Sequence, residues 1–293
     1  MGITLGDNQY GKAETRLVRV TRHGGPRGQH EIKDLTVSIS LAGDLAGTHL
    51  TGDNSAVVTT DTQKNTVFAF AADEPPGEVE DFALRLARHF VDDYPSITRS
   101  RVDIEEYAWG RIDAGGAPHP HAFFRTGAER RTARVSYADG RPHVVSGLCD
   151  LVVLKSAGSE FYGFVQDGYT TLAETTDRIL ATAVTARWRH AEPAADWAKS
   201  FADARQRLLE TFATRPSKSL QQTLYAMGSA VLEGDDFIAE IRLSMPNKHH
   251  FAVDLGPFGR ENRNEVFFAA DRPYGLIEGS VVRDDLPADE SAW

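Results

Sequence analysis

The chain of 293 residues has a single cysteine, Cys149, which excludes any disulfide within it and fits a reducing compartment. No apolar run approaches the roughly 20 residues a membrane-spanning helix needs, so no helical span is expected. The opening stretch, MGITLGDNQYGK, has neither the basic patch nor the apolar run of a secretory signal, and the ending SAW is not an SKL-type peroxisomal address. From these absences a cytoplasmic protein of a prokaryote is expected. Positive charge is also short, with 32 Lys and Arg against 42 Asp and Glu, a formal net charge of -10. Nucleic-acid binders displace counterions with a basic surface, so no nucleic-acid partner is expected; a locally basic pocket could still hold a small anion. What is present is ordinary for a globular protein, 41% hydrophobic and 25% charged residues. The length allows one large domain or two of common size.

The apolar spacing gives the order of elements. A strand is expected over Gly11–Val20 and a clearer one over Thr36–Leu41, where Leu35, Val37, Ile39 and Leu41 alternate with polar residues. Between them, His23–Gln29 reads as a Gly- and Pro-rich hairpin loop, and 42–55 as a polar connection. Thr59, Thr60 and Asp61 are helix-capping types. After the break at Pro75–Gly77, Val79, Phe82, Leu86 and Phe90 form one helical stripe that ends before Pro95. Strands are expected over Arg101–Ile112, Ala122–Thr132 and Arg134–Val145, the last interrupted by a turn at Asp139-Gly140. Further strands fit Leu148–Lys155 and Arg187–His190. Two helices follow, one carrying Trp197, Phe201, Leu208 and Phe212, the other running over about 219–232. Strands over Phe237–Leu243, Phe251–Leu255 and Val266–Ala270 complete the pattern. Each half reads strands, helices, strands, so an α+β fold in two domains, 1–133 and 134–293, is expected. The last ten residues, DDLPADESAW, read as an acidic, frayed tail.

One stretch concentrates chemistry. Ser244–Asp254 places Asn247, Lys248, His249 and His250 in succession between Pro246 and an apolar run. Strand alternation would point Asn247 and His249 one way and Lys248 and His250 the other. An amide beside an imidazole can hold a small polar molecule and move a proton, although such a stretch also serves as a plain polar turn.

Several segments together resemble urate oxidase (uricase). They are YGKAETRLVRV (10–20), VVTTDTQKNTVFAF (57–70), LKSAGSEFYGF (154–164), YTTLAETTDRILATAVTARWR (169–189), LQQTLYAMG (220–228), MPNKHHF (245–251) and NEVFFAADRPYGLIE (264–278). They cover almost the whole chain in order. The resemblance implies two tandem tunnelling-fold (T-fold) domains, antiparallel sheets with helices on one face. It also implies barrels completed on dimerisation and a homotetramer with active sites at subunit interfaces.

The activity it implies is oxidation of urate by O2 and water to 5-hydroxyisourate and H2O2, with no cofactor and no metal. Urate is flat and anionic, so a guanidinium fork suits one edge and an amide the other; by resemblance these are Arg178 and Gln221. Phe161 would stack on the ring, Leu220 would line the pocket, and the Asp61 N–H would complete the contacts. Lys12, Thr60 and His249 match the family's proton relay, in which a desolvated lysine serves as base. Asn247 with Thr60 would hold oxygen or water above the ring, and His249 would pass a proton. Lys12, Thr60 and Asp61 would come from one subunit and the other residues from its neighbour. Each residue alone has an ordinary reading: Arg178 an ion pair with Glu174 one turn earlier, Gln221 a solvated helix position, Phe161 core.

Two rival readings stand beside this one. His119-Pro120-His121 and His249-His250 could suggest zinc, and hence a zinc-dependent pterin- or GTP-type T-fold enzyme, although the HPH segment reads as a solvent-facing hairpin turn. A non-catalytic purine-binding protein on the same fold is the alternative of a different class.

Overall fold

A computed structural model describes residues 2–24, 28–192, 196–286, 289 and 292–293. It divides into two compact units, Met1–Gly147 with Arg189–Ala198 and Pro287–Trp293, and Leu148–Trp188 with Lys199–Leu286. The mixed α+β architecture and its helix-covered antiparallel sheets agree with the T-fold expectation.

In the first unit, β1 (Tyr10–His23), β2 (Gln29–Gly43), β3 (Ile97–Ala114) and β4 (Ala117–Ala138) lie side by side in that order, followed by the first half of β5 (Arg141–Lys155). β1 pairs antiparallel with β2, β2 with β3 and β3 with β4, placing Leu17 opposite Leu35, Val37 opposite Ile104 and Val102 opposite Val135. Alternation sends Leu35, Val37, Ile39 and Leu41 to one face, where the stripe Phe82, Leu86 and Phe90 of α3 (Val79–Asp92) meets them in a single buried cluster. Burying each such side chain contributes about 1.5–3 kcal/mol. Between β4 and β5, Asp139 and Gly140 both take positive φ, 50° and 72°, the backbone a tight two-residue hairpin requires. β4 runs unbroken past residue 133.

The unit also buries a polar network. Glu80 on α3 is 0% exposed, accepts from Arg131 (2.7 Å) and from the Ser146 hydroxyl (2.7 Å), and Ser146 also meets His190 Nε2 at 3.0 Å. Burial raises the Glu80 pKa above the ordinary carboxylate value; Arg131 and the Ser146 hydroxyl oppose that shift.

In the second unit the remainder of β5 is followed by β6 (Leu180–His190), β7 (Ile238–Pro246) and β10 (Leu276–Val282). β10 pairs antiparallel with β7 from Leu276↔Pro246 to Val282↔Glu240. Helices α4 (Trp197–Thr214) and α5 (Leu220–Gly234) bring Leu208, Phe212, Leu224, Met227 and Val231 against Val184, Trp188 and Ile241. A short hairpin of β8 (His250–Ala252) and β9 (Phe267–Ala269) stands apart in its own sheet.

Several expectations are corrected. The connection 42–55 contains a short helix, α1 (Ala46–Leu50), and residues 60–73 form a full helix, α2 (Thr60–Asp73), without an apolar stripe to announce it. The HPH segment lies within β4, where Pro118 pairs with Asp113, because the turn is confined to residues 115–116 and both strands run on to its edge. The strand expected over Phe251–Leu255 stops at Ala252 and gives way to a 3-10 turn at Gly256–Phe258. β10 was not anticipated. The tail is docked where it is described: Ala292 is 0% exposed, Asp289 meets His143 at 2.7 Å, and Arg134 donates to the Trp293 carbonyl. Part of the His23–Gln29 loop (25–27) and tail residues 287–288 and 290–291 lie outside the described residues. Among the described residues no helix is long and apolar enough to cross a membrane.

Candidate functional site

Lys12, Thr60 and Asp61 share the first unit. Tyr10 starts β1, and its hydroxyl both donates to the Val58 carbonyl and accepts from the Val58 N–H, each at 2.9 Å. This clip ties the start of β1 to the residue two before Thr60. Gly11 crosses β2 so closely that a Cβ there would lie 1.8 Å from the Ile39 carbonyl oxygen, so no other residue fits without moving a strand. Pairing then slips between Lys12 (opposite Ile39) and Thr15 (opposite Val37), with Glu14 at φ 56° and its N–H bonded to the Ser38 hydroxyl. Such a bulge re-aims the side chains beside it, here the half-buried Lys12.

Thr59 caps α2, accepting from the Thr62 N–H at 3.0 Å. Thr60 and Asp61 therefore begin the first turn, where N–H groups lack helical acceptors. Both are exposed. A hydrogen bond from Lys64 (2.5 Å) holds the Asp61 pKa below its usual value, with the Lys12 charge adding to the effect.

Phe161, Arg178, Leu220, Gln221, Asn247 and His249 share the second unit. The loop bearing Phe161 is pinned by paired backbone bonds to Thr175, 2.7 and 3.0 Å. Arg178 is half-buried with its guanidinium 5.0 Å from the Phe161 ring centre, and desolvation lowers its pKa. Glu174 is not its partner; that carboxylate accepts from the Gly163 N–H at 2.7 Å. Phe164 stacks on Phe161 at 5.0 Å, which supports the ring. Leu220 and Gln221 open α5 behind the cap Ser219, which accepts from the Gln222 N–H. Leu220 is 2% exposed and packs in the core, so only its main chain is at the helix end. Gln221 is exposed. A helix N-terminus beside a partly desolvated guanidinium suits a flat anion.

Asn247 extends β7: its N–H meets the Gly275 carbonyl (2.8 Å) on one side, and the next N–H, of Lys248, meets the Ala181 carbonyl (2.8 Å) on the other. His249, just before β8, stacks on Phe251, 5.6 Å between ring centres. His250 turns its Nδ1 to the Lys248 carbonyl at 2.9 Å.

Tyr10, Gly11, Phe164 and Ser159 were missed as supports. Of the second unit's supports, the cap Ser219 was readable in principle, since Ser followed three residues later by Gln is a capping signal. A cavity of about 490 Å³ in the first unit, lined by Lys33, Tyr107, Trp109 and Arg111 among others, includes none of the predicted residues. Among the described residues no group of three or more His, Cys, Asp or Glu side chains could hold a metal ion; His119 and His121 stack edge-to-face at 4.5 Å.

The model of the family described as Uricase matches residues 8–136 and 144–278. The chain belongs to the uricase family. It is 51% identical to a uricase of Arthrobacter globiformis over 99% of this chain and 94% of that protein. It is 37% identical to a uricase of Aspergillus flavus over 95% and 96%. The crystal structure of the A. globiformis uricase superposes with a TM-score of 0.94 at 51% identity, covering 100% of this chain and 99% of that one. A uricase structure from Bacillus fastidious gives 0.79 at 26%, covering 95% and 94%. Neither the zinc-dependent pterin-type reading nor the non-catalytic purine-binding reading gains support from these uricase matches.

Proposed function

We propose that this uricase-family enzyme oxidises urate with O2 and water to 5-hydroxyisourate and H2O2. The observation that carries the reading is the uricase match running through both units, across every segment that bears a site residue.

The reaction balances without a second reductant: urate loses two electrons to O2, which leaves as H2O2, and water supplies the added hydroxyl. In this reading Arg178 and Gln221 grip opposite edges of the ring, Phe161 stacks on its face, and the α5 N-terminus favours its negative charge. Lys12 draws a proton through the Thr60 hydroxyl, and the electron-rich dianion then donates to O2. Asn247 and Thr60 hold oxygen, and afterwards water, above the ring; His249 orders that water and moves its proton.

The residues of the two units come together between copies of the chain. β1 and β10 are the two ends of the eight-strand order, and open edges invite a second copy. Val165 and Tyr169, beside the Phe161 loop, are 92% and 94% exposed, apolar surface that suits burial in a homotetramer. A strictly monomeric variant is expected to be inactive; activity in a species shown monomeric by light scattering would refute the shared site.

The direct test mixes metal-stripped protein with urate in air and follows urate absorbance alongside peroxide. Loss of urate with matching H2O2, unchanged by chelator, is expected. No loss in protein confirmed as oligomer would overturn the assignment.

A further inference from the structure

Arg178 is held by one residue through two bonds. Its main-chain N–H donates to the Ser159 carbonyl at 2.9 Å, and its Nε donates to the Ser159 hydroxyl at 3.3 Å. Ser159 is 1% exposed, so water does not compete for that hydroxyl. A guanidinium has two hydrogen-bonding edges, one built on Nε and one on the two terminal nitrogens. With Nε engaged, the terminal edge is the one left, and among the described residues it has no hydrogen-bond partner.

Ser159 is in turn spliced to the start of α5. It bridges Ser217 in parallel, with the Ser217 N–H meeting the Gly158 carbonyl at 3.0 Å and the Glu160 N–H meeting the Ser217 carbonyl at 2.8 Å. Ser217 is also 1% exposed. Its hydroxyl accepts from Thr223 Oγ1 at 2.7 Å and donates to the carbonyl of the cap residue Ser219 at 3.1 Å. The Ser219 carbonyl, 3.1 Å from Thr223 Oγ1, is the alternative acceptor for that hydroxyl's single proton. An unbroken set of buried hydroxyl and main-chain bonds thus joins the guanidinium to the helix turn that carries Gln221.

We propose that Ser159 is a positioning residue for substrate recognition. It presents the terminal-nitrogen edge of Arg178 to the substrate, and its splice through Ser217 and Thr223 fixes the span between that edge and Gln221. The inference rests on the urate reading above and goes further, naming which edge of the guanidinium is used and what sets the width of the grip. A flat ring held at two opposite edges is sensitive to that width, since small misplacements of positioning groups are costly.

The test measures urate binding by calorimetry under argon, where urate binds without turning over, and KM and kcat in air. Ser159→Ala is expected to weaken urate binding about three- to tenfold, the size of one net hydrogen bond, with the loss falling on KM more than on kcat. Thr223→Val, which removes the hydroxyl at nearly constant shape, should weaken binding in the same direction, and Thr223→Ser should restore it. A purely structural role would instead lower Tm and the active fraction while leaving the dissociation constant of the folded protein unchanged. That result, or wild-type affinity in both Ser159→Ala and Thr223→Val, would overturn the inference alone. Absence of urate binding by the unsubstituted protein would overturn it together with the proposed function.

Discussion

The two units carry their site residues in different ways. In the first, Lys12 rides a bulged strand and Thr60 and Asp61 sit exposed at a helix start; long or solvated groups of this kind move protons. In the second, Phe161 and Arg178 stack on each other, and the loop under them is bonded to buried serines and to α5. Proton transfer tolerates a reaching side chain, whereas reading the edges of a ring requires groups fixed before the ligand arrives. In the proposed reading the first unit supplies Lys12 and Thr60 to the relay, and the second supplies the grip on the ring together with Asn247 and His249.

Substitutions in the two units should therefore fail differently. Lys12→Met is expected to lower kcat by about 100-fold or more, the range for removing a general base, with a much smaller change in urate affinity. Equal losses in both would move Lys12 to the recognition side and break the contrast. Arg178→Lys keeps the charge but loses the planar fork and its stacking, so urate affinity should fall roughly ten- to a hundredfold, as expected for one or two charge-assisted bonds. A loss confined to kcat would contradict a recognition role.

A third test asks whether the first unit's pH response is separate from its chemistry. Because burial raises the Glu80 pKa, the folded state keeps that proton to a higher pH than the unfolded state does. The stabilising contribution is full below the unfolded value, near 4.3, and is lost as pH rises through the raised folded value. Glu80→Gln cannot titrate, so the Tm of the variant relative to the parent should shift in favour of the variant as pH rises above the ordinary glutamate value. A Tm difference that stays constant as pH rises would show that Glu80 does not titrate as described.

The smallest effect concerns Asp61. Lys64→Ala removes the bond that lowers the Asp61 pKa, so that pKa measured by NMR should rise towards the ordinary aspartate value, with little change in thermal stability because the pair is solvent-facing. An unchanged Asp61 pKa would assign the depression to another group.

Much of the frame was legible because alternation and helical stripes are strong signals: α3 follows from Val79–Phe90 almost residue by residue, and Leu35–Leu41 marks the middle of β2, which runs on to Gln29 and Gly43. The helix α2 was not, since its buried positions include Gln63 and Thr66 as well as Val67 and Ala71, and a mixed face leaves no apolar period to read. β10 escaped because Leu276–Val282 includes a glycine and has mostly exposed or half-buried positions. The docked tail was misread from its acidity; Ala292 and the Trp293 carbonyl hold it, and neither looks like an anchor in sequence. The candidate site residues came through resemblance. Their supports did not, because the roles of Tyr10, Gly11 and Ser159 depend on partners 48, 28 and 19 residues away, and such pairings exist only once the chain is folded.

The central claim is that each active site takes Lys12, Thr60 and Asp61 from one copy and Phe161, Arg178, Gln221, Asn247 and His249 from another. Lys12→Met and Arg178→Ala chains, each carrying a different tag, can be co-expressed and the mixed oligomers isolated and verified by mass. Each variant alone should be nearly inactive, and the mixed oligomer should regain urate oxidation, since some of its sites then combine an intact relay with an intact grip. Mixed oligomers no more active than the separate variants would contradict the shared site.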